Sequence, residues 1–367
     1  MVALNYTTLD FSQIKNNLKE FLRSQSTWSD YDFDGSNISM LLDLLSYNTQ
    51  YSAFLANMIA NESYLDSASI RDNVVLLARQ IGYIPSSVTG ANANFDLEFQ
   101  LNQQLYPNGY PRTIEIQPGP VFSFSGDWGV SYTLSTVDSF VTTVSREGLA
   151  KFTEIKLTEG LMIEQSFIID NSTNQILKLG NQNIDITTLR VEVQESPPST
   201  DTQTYLRTDS LVDIDNLSRV YWIDEVDDKL YKITFGDGIF GYKPATGAIV
   251  NVRYIISNGP AANGSRGNNN FAYVANTYDG EGNRIITDPI ITNTPILEGG
   301  SDIESVSSIK FRSVRGYAAQ NRAVTAGDYE YIVRNIYPAA DDVYVYGGET
   351  LNPPQYGKIF IVVKPFR

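Results

Sequence analysis

A chain of 367 residues that is 42% hydrophobic and only 19% charged can bury two or three apolar cores, and it has the make-up of a folded protein. Its net charge of −15 disfavours adhesion to nucleic acid or to an anionic membrane and favours protein partners. With no cysteine and no histidine, disulfides, thiolate nucleophiles, common zinc clusters and Ser-His-Asp or His-metal sites are excluded, which leaves carboxylate, lysine or tyrosine chemistry.

Met1 to Leu9 lacks the basic and apolar regions of a secretory signal, and no run approaches the length of a membrane span, so synthesis in the cytosol is expected. The pattern predicts an α+β multidomain chain: a helical bundle segment over 1–85, a β-rich middle region over 92–298 and an α/β module over 299–367.

Phe11, Ile14, Leu18, Phe21 and Leu22 recur at helical spacing and predict one buried stripe on a first helix. The second predicted helix, Asn37 to Asn61, is apolar on two faces. Ile38, Leu41, Leu42, Leu45, Leu55 and Ile59 line one, and Met40, Leu44, Tyr47, Tyr51, Phe54 and Met58 the other. Such a helix must be covered on both sides, either by its own small bundle or by a partner chain. A third helix is expected to open near Asp66, to turn Ile70, Val74, Leu77 and Ile81 inward and to stop at Gly82.

From Asn92 to about Thr294 the period becomes two. Phe95, Leu97, Phe99 and Leu101 alternate with polar residues, as do Val191 and Val193, and Ile249 to Ile256 is rich in β-branched residues. Asn258 to Asn270 has too little apolar surface to pack and is expected to be an exposed loop. The helical period returns after Gly300, where Ser301-Asp302-Ile303-Glu304 fits a capping box and Thr325-Ala326-Gly327-Asp328 a weaker one. Two strands, Asp342 to Tyr346 and Lys358 to Val363, are expected to pair, with the helix from Thr325 to Ile336 covering one face through Tyr329, Ile332, Val333 and Ile336.

Several motifs resemble chemistry. Gly236-Asp237-Gly238-Ile239-Phe240-Gly241 fits G-x-G-x-x-G, yet a nucleotide loop must open a helix, and here Pro244, Gly247 and a strand from Ala248 follow. A β-hairpin is the reading. Asp30, Asp32, Asp34 and Gly35 match the first half of a calcium loop, but the twelfth position is Leu41, which cannot supply the bidentate carboxylate. A polar turn before a helix start near Ser36 or Asn37 is the alternative reading.

Asp224, Glu225, Asp227 and Asp228 could in principle pair for glycoside cleavage, but a run of acids on a loop is commonly a solvated surface. Lys310, Arg312, Arg315 and Arg322 form a basic cluster, read either as a solvated face or as a dock for an acidic partner. No catalytic residue, cofactor ligand or metal ligand is expected.

Phe235-Gly236-Asp237-Gly238-Ile239-Phe240-Gly241 with Pro244 and Gly247, then Gly299 to Glu304, then Gln320 to Thr325 leading to Asp328-Tyr329-Glu330, resemble the baseplate-J superfamily. Asp34 to Asn37, Leu41 to Asn48 and Leu77 to Tyr83 are similar to the large wedge protein of T-even-like phage baseplates. The resemblance implies a structural subunit without catalytic residues, made in the host cytoplasm and resident in the tail baseplate of the virion. Two copies of the family's protein pair with another wedge subunit through bundled N-terminal helices. T-even-like members continue well beyond a segment like Lys358 to Val363, so the C-terminal module is expected to be short or incomplete here.

The expected mechanism is mechanical: interfaces that hold one arrangement and then rearrange as the sheath contracts. Three rivals stand beside it. They are a carboxylate glycan hydrolase, a receptor-binding adhesin, and the equivalent subunit of a cellular contractile injection machine.

Overall fold

In the computed structural model, which describes residues 10–25, 35–107, 109–125, 130–170, 176–196, 201–209, 213–266, 271–320, 322–337 and 340–365, the helical ends and β-rich centre emerge as the periodicities require. The helices are α1 (Phe11–Arg23), α2 (Asn37–Glu62), α3 (Arg71–Gln80), α4 (Val306–Ala319) and α5 (Ala326–Ile336). The first nine strands are β1 (Asn92–Gln100), β2 (Thr113–Ile116), β3 (Gly119–Ser125), β4 (Ser131–Thr136), β5 (Phe140–Thr143), β6 (Leu149–Glu159), β7 (Leu161–Ile168), β8 (Ile176–Leu179) and β9 (Ile184–Gln194). The rest are β10 (Gln203–Arg207), β11 (Val220–Val226), β12 (Leu230–Phe235), β13 (Ile249–Ile256), β14 (Phe271–Tyr273), β15 (Thr277–Asp279), β16 (Ile290–Ile291), β17 (Ala340–Gly347) and β18 (Ile359–Pro365).

By contacts the chain divides into two units, Met1–Tyr83 with Val306–Tyr317, and Ile84–Ser305 with Ala318–Arg367. In the first, Asp10 caps α1 and Ser36 caps α2, each side chain accepting from a backbone N–H of the first turn. Gly82 ends α3 with φ +79°, and the Tyr83 N–H reaches back to the Ala78 carbonyl. The start of α3 is a correction: it begins at Arg71, five residues later than expected. The Glu62 carboxylate, at the end of α2, accepts from the Ser69 and Ile70 N–H groups and so holds residues 63–70 in a connecting turn.

The second unit carries two separate β cores. A six-stranded sheet in the order β14-β3-β4-β6-β1-β16 builds the first. In it Phe95, Leu97, Phe99 and Leu101 are all buried, as their alternation requires, and Phe95 stacks on Phe122 at 5.3 Å. Between Phe95 and Leu97 the register slips, and the Asp96 carboxylate accepts from the N–H of the bulged residue Glu154, whose φ is +55°. A seven-stranded sheet in the order β7-β13-β9-β10-β11-β12-β8 builds the second core from Val191, Val193, Ile233, Val250, Val252 and Tyr254.

Three other expectations need correcting. Residues 236–241 do not close a hairpin between neighbours, because β12 pairs with β8 and β11 whereas β13 pairs with β7 and β9. The segment is instead a tight turn between non-adjacent strands: Asp237 Oδ1 accepts from the Ile239 and Phe240 N–H groups, and Gly238 has φ +91°. Gly238→Val is therefore expected to lower stability by about 1–2 kcal/mol in urea unfolding. Asp237→Asn, which keeps the accepting oxygen, should leave the midpoint unchanged, and a lowered midpoint there would show that the charge itself matters.

The Ser301 to Glu304 capping box does not form either. Thr89 pairs with Ser301 in a β-bridge and Glu304 accepts from the Ser86 N–H, so both caps serve long-range partners and α4 starts at Val306. The weaker box is the real one: Thr325 Oγ1 accepts from Asp328 N and Asp328 Oδ2 from Thr325 N. Asn258 to Arg266 is not slack, since Gly259 and Ala262 are buried and Asn263 bonds both ways with Gly300. Residues 267–270 lie outside the described residues.

At the C-terminal end β17 and β18 pair antiparallel as expected. Tyr329, Ile332 and Val333 of α5 are half-buried, but Ile336 is exposed, so the helix covers less than its periodicity promised. Ile359, Ile361, Val362 and Val363 of β18 remain exposed.

Candidate docking surface on the second helix

A surface helix ordinarily turns its apolar side inward and its polar side to water. Helix α2 does the reverse. Its buried residues are Ser39, Leu42, Ser46 and Asn57, and the hydroxyls of Ser39 and Ser46 have no hydrogen-bond partner among the described residues. Lys15 of α1 reaches Asp43 at 2.5 Å, and Ile14 is the buried apolar residue α1 contributes.

Outward, at 100° per residue, Met40, Leu44, Tyr47, Tyr51, Phe54 and Met58 form one row and Leu41, Leu45, Leu55 and Ile59 the next. All ten are between 37 and 68% exposed. Together they cover about half of the helix circumference. Of the two rows expected from the sequence, Ile38 is half-buried and Leu42 turns inward, because they sit nearest the Ser39–Ser46 stripe. No lysine or arginine lies on α2. Burying ten such side chains is worth on the order of 15 kcal/mol gross, before the costs of association.

The frame that presents this surface is firm. Burial pushes the Glu62 carboxyl up, but hydrogen bonds from Asn73, Ser69 and Ile70 outweigh it and hold the group at about 2, against an ordinary 4.5. A carboxylate whose folded pKa is depressed contributes stability that is complete above about 4.5 and is lost as pH falls toward about 2. Because Glu62 is largely solvated, the contribution is discounted to about 1–2 kcal/mol. Glu62→Gln is expected to speed amide exchange at Ser69 and Ile70 at neutral pH and to flatten its pH dependence between those values. Unchanged exchange would show that the turn holds without the charge.

The other residues singled out in the sequence do not converge. Asp224 pairs across the strands with Lys232 at 3.4 Å, while its neighbour Glu225 is buried on the opposite face of β11. Asp227 and Asp228 make the turn into β12, with φ +61° at Asp228 and +60° at Lys229. These acids therefore lie on a strand and in a hairpin turn, not on one loop. Lys310 donates to the Asp66 carbonyl, Arg315 stacks over Phe311 at 3.7 Å and Arg322 donates to Gln320. Asp30, Asp32 and Asp34 lie outside the described residues. Among the described residues no group of three or more His, Cys, Asp or Glu side chains could hold a metal ion, and no helix is long and apolar enough to cross a membrane.

The comparisons with known proteins fall on these same ends. The family model described as baseplate wedge protein gp6-like, helical domain, matches residues 10–83, and that described as baseplate structural protein gp6, C-terminal domain I, matches residues 325–367. The baseplate wedge protein gp6 of Enterobacteria phage T4 is similar to the chain at 28% identity over 380 residues, covering 97% of this chain and 54% of that protein. The chain thus spans about half the length of the curated relative it matches. Nearly all of the chain is thus similar to a baseplate wedge protein, and its two ends match the models of two gp6 domains.

Proposed function

We propose that the chain is a structural wedge subunit of a contractile phage tail, located in the baseplate of the virion, where it holds the wedge ring together and rearranges as the sheath contracts. The observation that carries this reading is the outward apolar arc of α2, ten large side chains left in water while serines face inward. Other wedge subunits cover that arc with helices of their own, and a second copy of the chain takes part. Three segments divide the work: 1–85 for helical bundling, 92–298 as a β-rich spacer and 299–367 as a module for ring contacts. The chain works without a catalytic group, metal or cofactor, and neither nucleic acid nor membrane is a partner.

The test compares the chain alone with the chain co-expressed with the other wedge proteins of its phage. Alone, with α2 and β18 exposed, it is expected to self-associate at roughly tens of micromolar, where uncovered apolar surface aggregates. Co-expressed, it should elute as a discrete hetero-oligomer. A monodisperse monomer by sedimentation that ignores the other wedge proteins would overturn the proposal.

A further inference from the structure

The two β cores of the middle region share no residue, yet the chain passes between their sheets at a single crowded corner. There β6 of the first sheet runs into β7 of the second through Gly160, and β13 of the second sheet leaves through Ser257 to Gly259 beside it. The incoming segment before β1 passes the same point at Gly90. Each passage is a glycine in close contact. A Cβ on Gly90 would lie 2.6 Å from the Glu159 carbonyl, one on Gly160 2.2 Å from the Ile256 carbonyl, and one on Gly259 3.3 Å from the Ser301 carbonyl.

Two buried carboxylates bind these passages together. Glu159 is fully buried and accepts from Ser257 Oγ at 2.9 Å, from Asn258 N at 3.1 Å and from Asn258 Nδ2 at 2.7 Å, tying the end of β6 to the exit from β13. Asp185 on β9 accepts from the Gly90 N–H at 2.9 Å and from Thr187 N and Oγ1. Further out, Asp138 chelates the Arg190 guanidinium and Arg253 donates to the Val137 carbonyl. These bonds are directional, so they fix an angle in a way that apolar packing does not.

We infer that the corner is a polar lock, in which Glu159 pins the exit of β13 to the end of β6 and thereby sets the angle between the two β-sheets. Releasing the pin frees the sheets to swing about Gly160 while each stays folded.

Because the chain has no cysteine, spin labels can be placed at will. Ile290→Cys on β16 and Ile168→Cys on β7 are exposed sites, one on each sheet. In the full chain, diluted with excess unlabelled chain so that self-association adds no intermolecular distance, the label-to-label distance read by double electron–electron resonance is expected to be a single narrow peak. Glu159→Gln, and the milder Asn258→Ala, which deletes one of the three donors, should broaden it about twofold or split it, because each weakens the tie between the end of β6 and the exit from β13. The sheet signal in circular dichroism should persist. Unchanged distances in both variants would overturn the lock. So would loss of the sheet signal in both, since the carboxylate would then support the fold and not its angle.

Discussion

Leu45→Asp and Tyr51→Asp are each expected to remove the chain from complexes with the other wedge subunits while leaving the free protein folded. Both side chains are more than half exposed in the free chain, so replacing them costs the fold within about 0.5 kcal/mol. They lie on different rows of the outward arc of α2, which makes the two substitutions independent probes of its width. In the assembled state a carboxylate at either place would sit unpaired in an apolar interface, a cost of roughly 3 kcal/mol or more, or over 100-fold in affinity. Thr49→Asp is the control, since Thr49 is exposed on the same helix outside both apolar rows and should co-purify as the parent does. If the Leu45 and Tyr51 variants also co-purify at the parent level, the arc is not the interface.

That arc is legible in the sequence, because a helix apolar on two faces can be recognised from spacing alone. Its inward stripe is not. Ser39, Ser46 and Asn57 look like breaks in the apolar pattern, yet they are the residues α2 buries. Strand periodicity likewise placed β1, β9 and β13, while their partners stayed hidden: β12 and β13 are consecutive in the chain but belong to different neighbourhoods of one sheet.

The capping boxes show the same limit from the other side. Ser301 and Glu304 have the right spacing for a helix start but are taken by Thr89 and Ser86, more than two hundred residues away in the chain. Among the described residues Thr325 and Asp328 have no such competitor and cap as the local rule says. Glu159 and Asp185 carried no signal at all, since their meaning lies in Ser257, Asn258 and Gly90, each more than ninety residues distant. Local rules are reliable where no distant group bids for the same atoms.

Gly160→Ala should be the most damaging single-methyl change in the middle region. The residue has φ +130°, a conformation that side-chain-bearing residues rarely adopt, and the added carbon would sit 2.2 Å from the Ile256 carbonyl and 2.6 Å from Ile255 Cγ2. Neither can retreat, because β13 is hydrogen-bonded on both sides, to β7 and to β9. Gly160 is also tied through its own backbone: its N–H donates to the Thr133 carbonyl at 2.8 Å, and its carbonyl accepts from Ser135 Oγ at 2.7 Å. Relief would therefore break pairing in both sheets at once. The expected loss is about 3–5 kcal/mol, enough to lower a thermal midpoint by roughly 10 °C in a unit of this size. Gly180→Ala is the matched control, with no positive φ and nothing within 4 Å of the added carbon. A Gly160→Ala midpoint close to that control would mean that the strand bends between the sheets somewhere other than at this residue, and that the corner has the freedom to rebuild around a side chain.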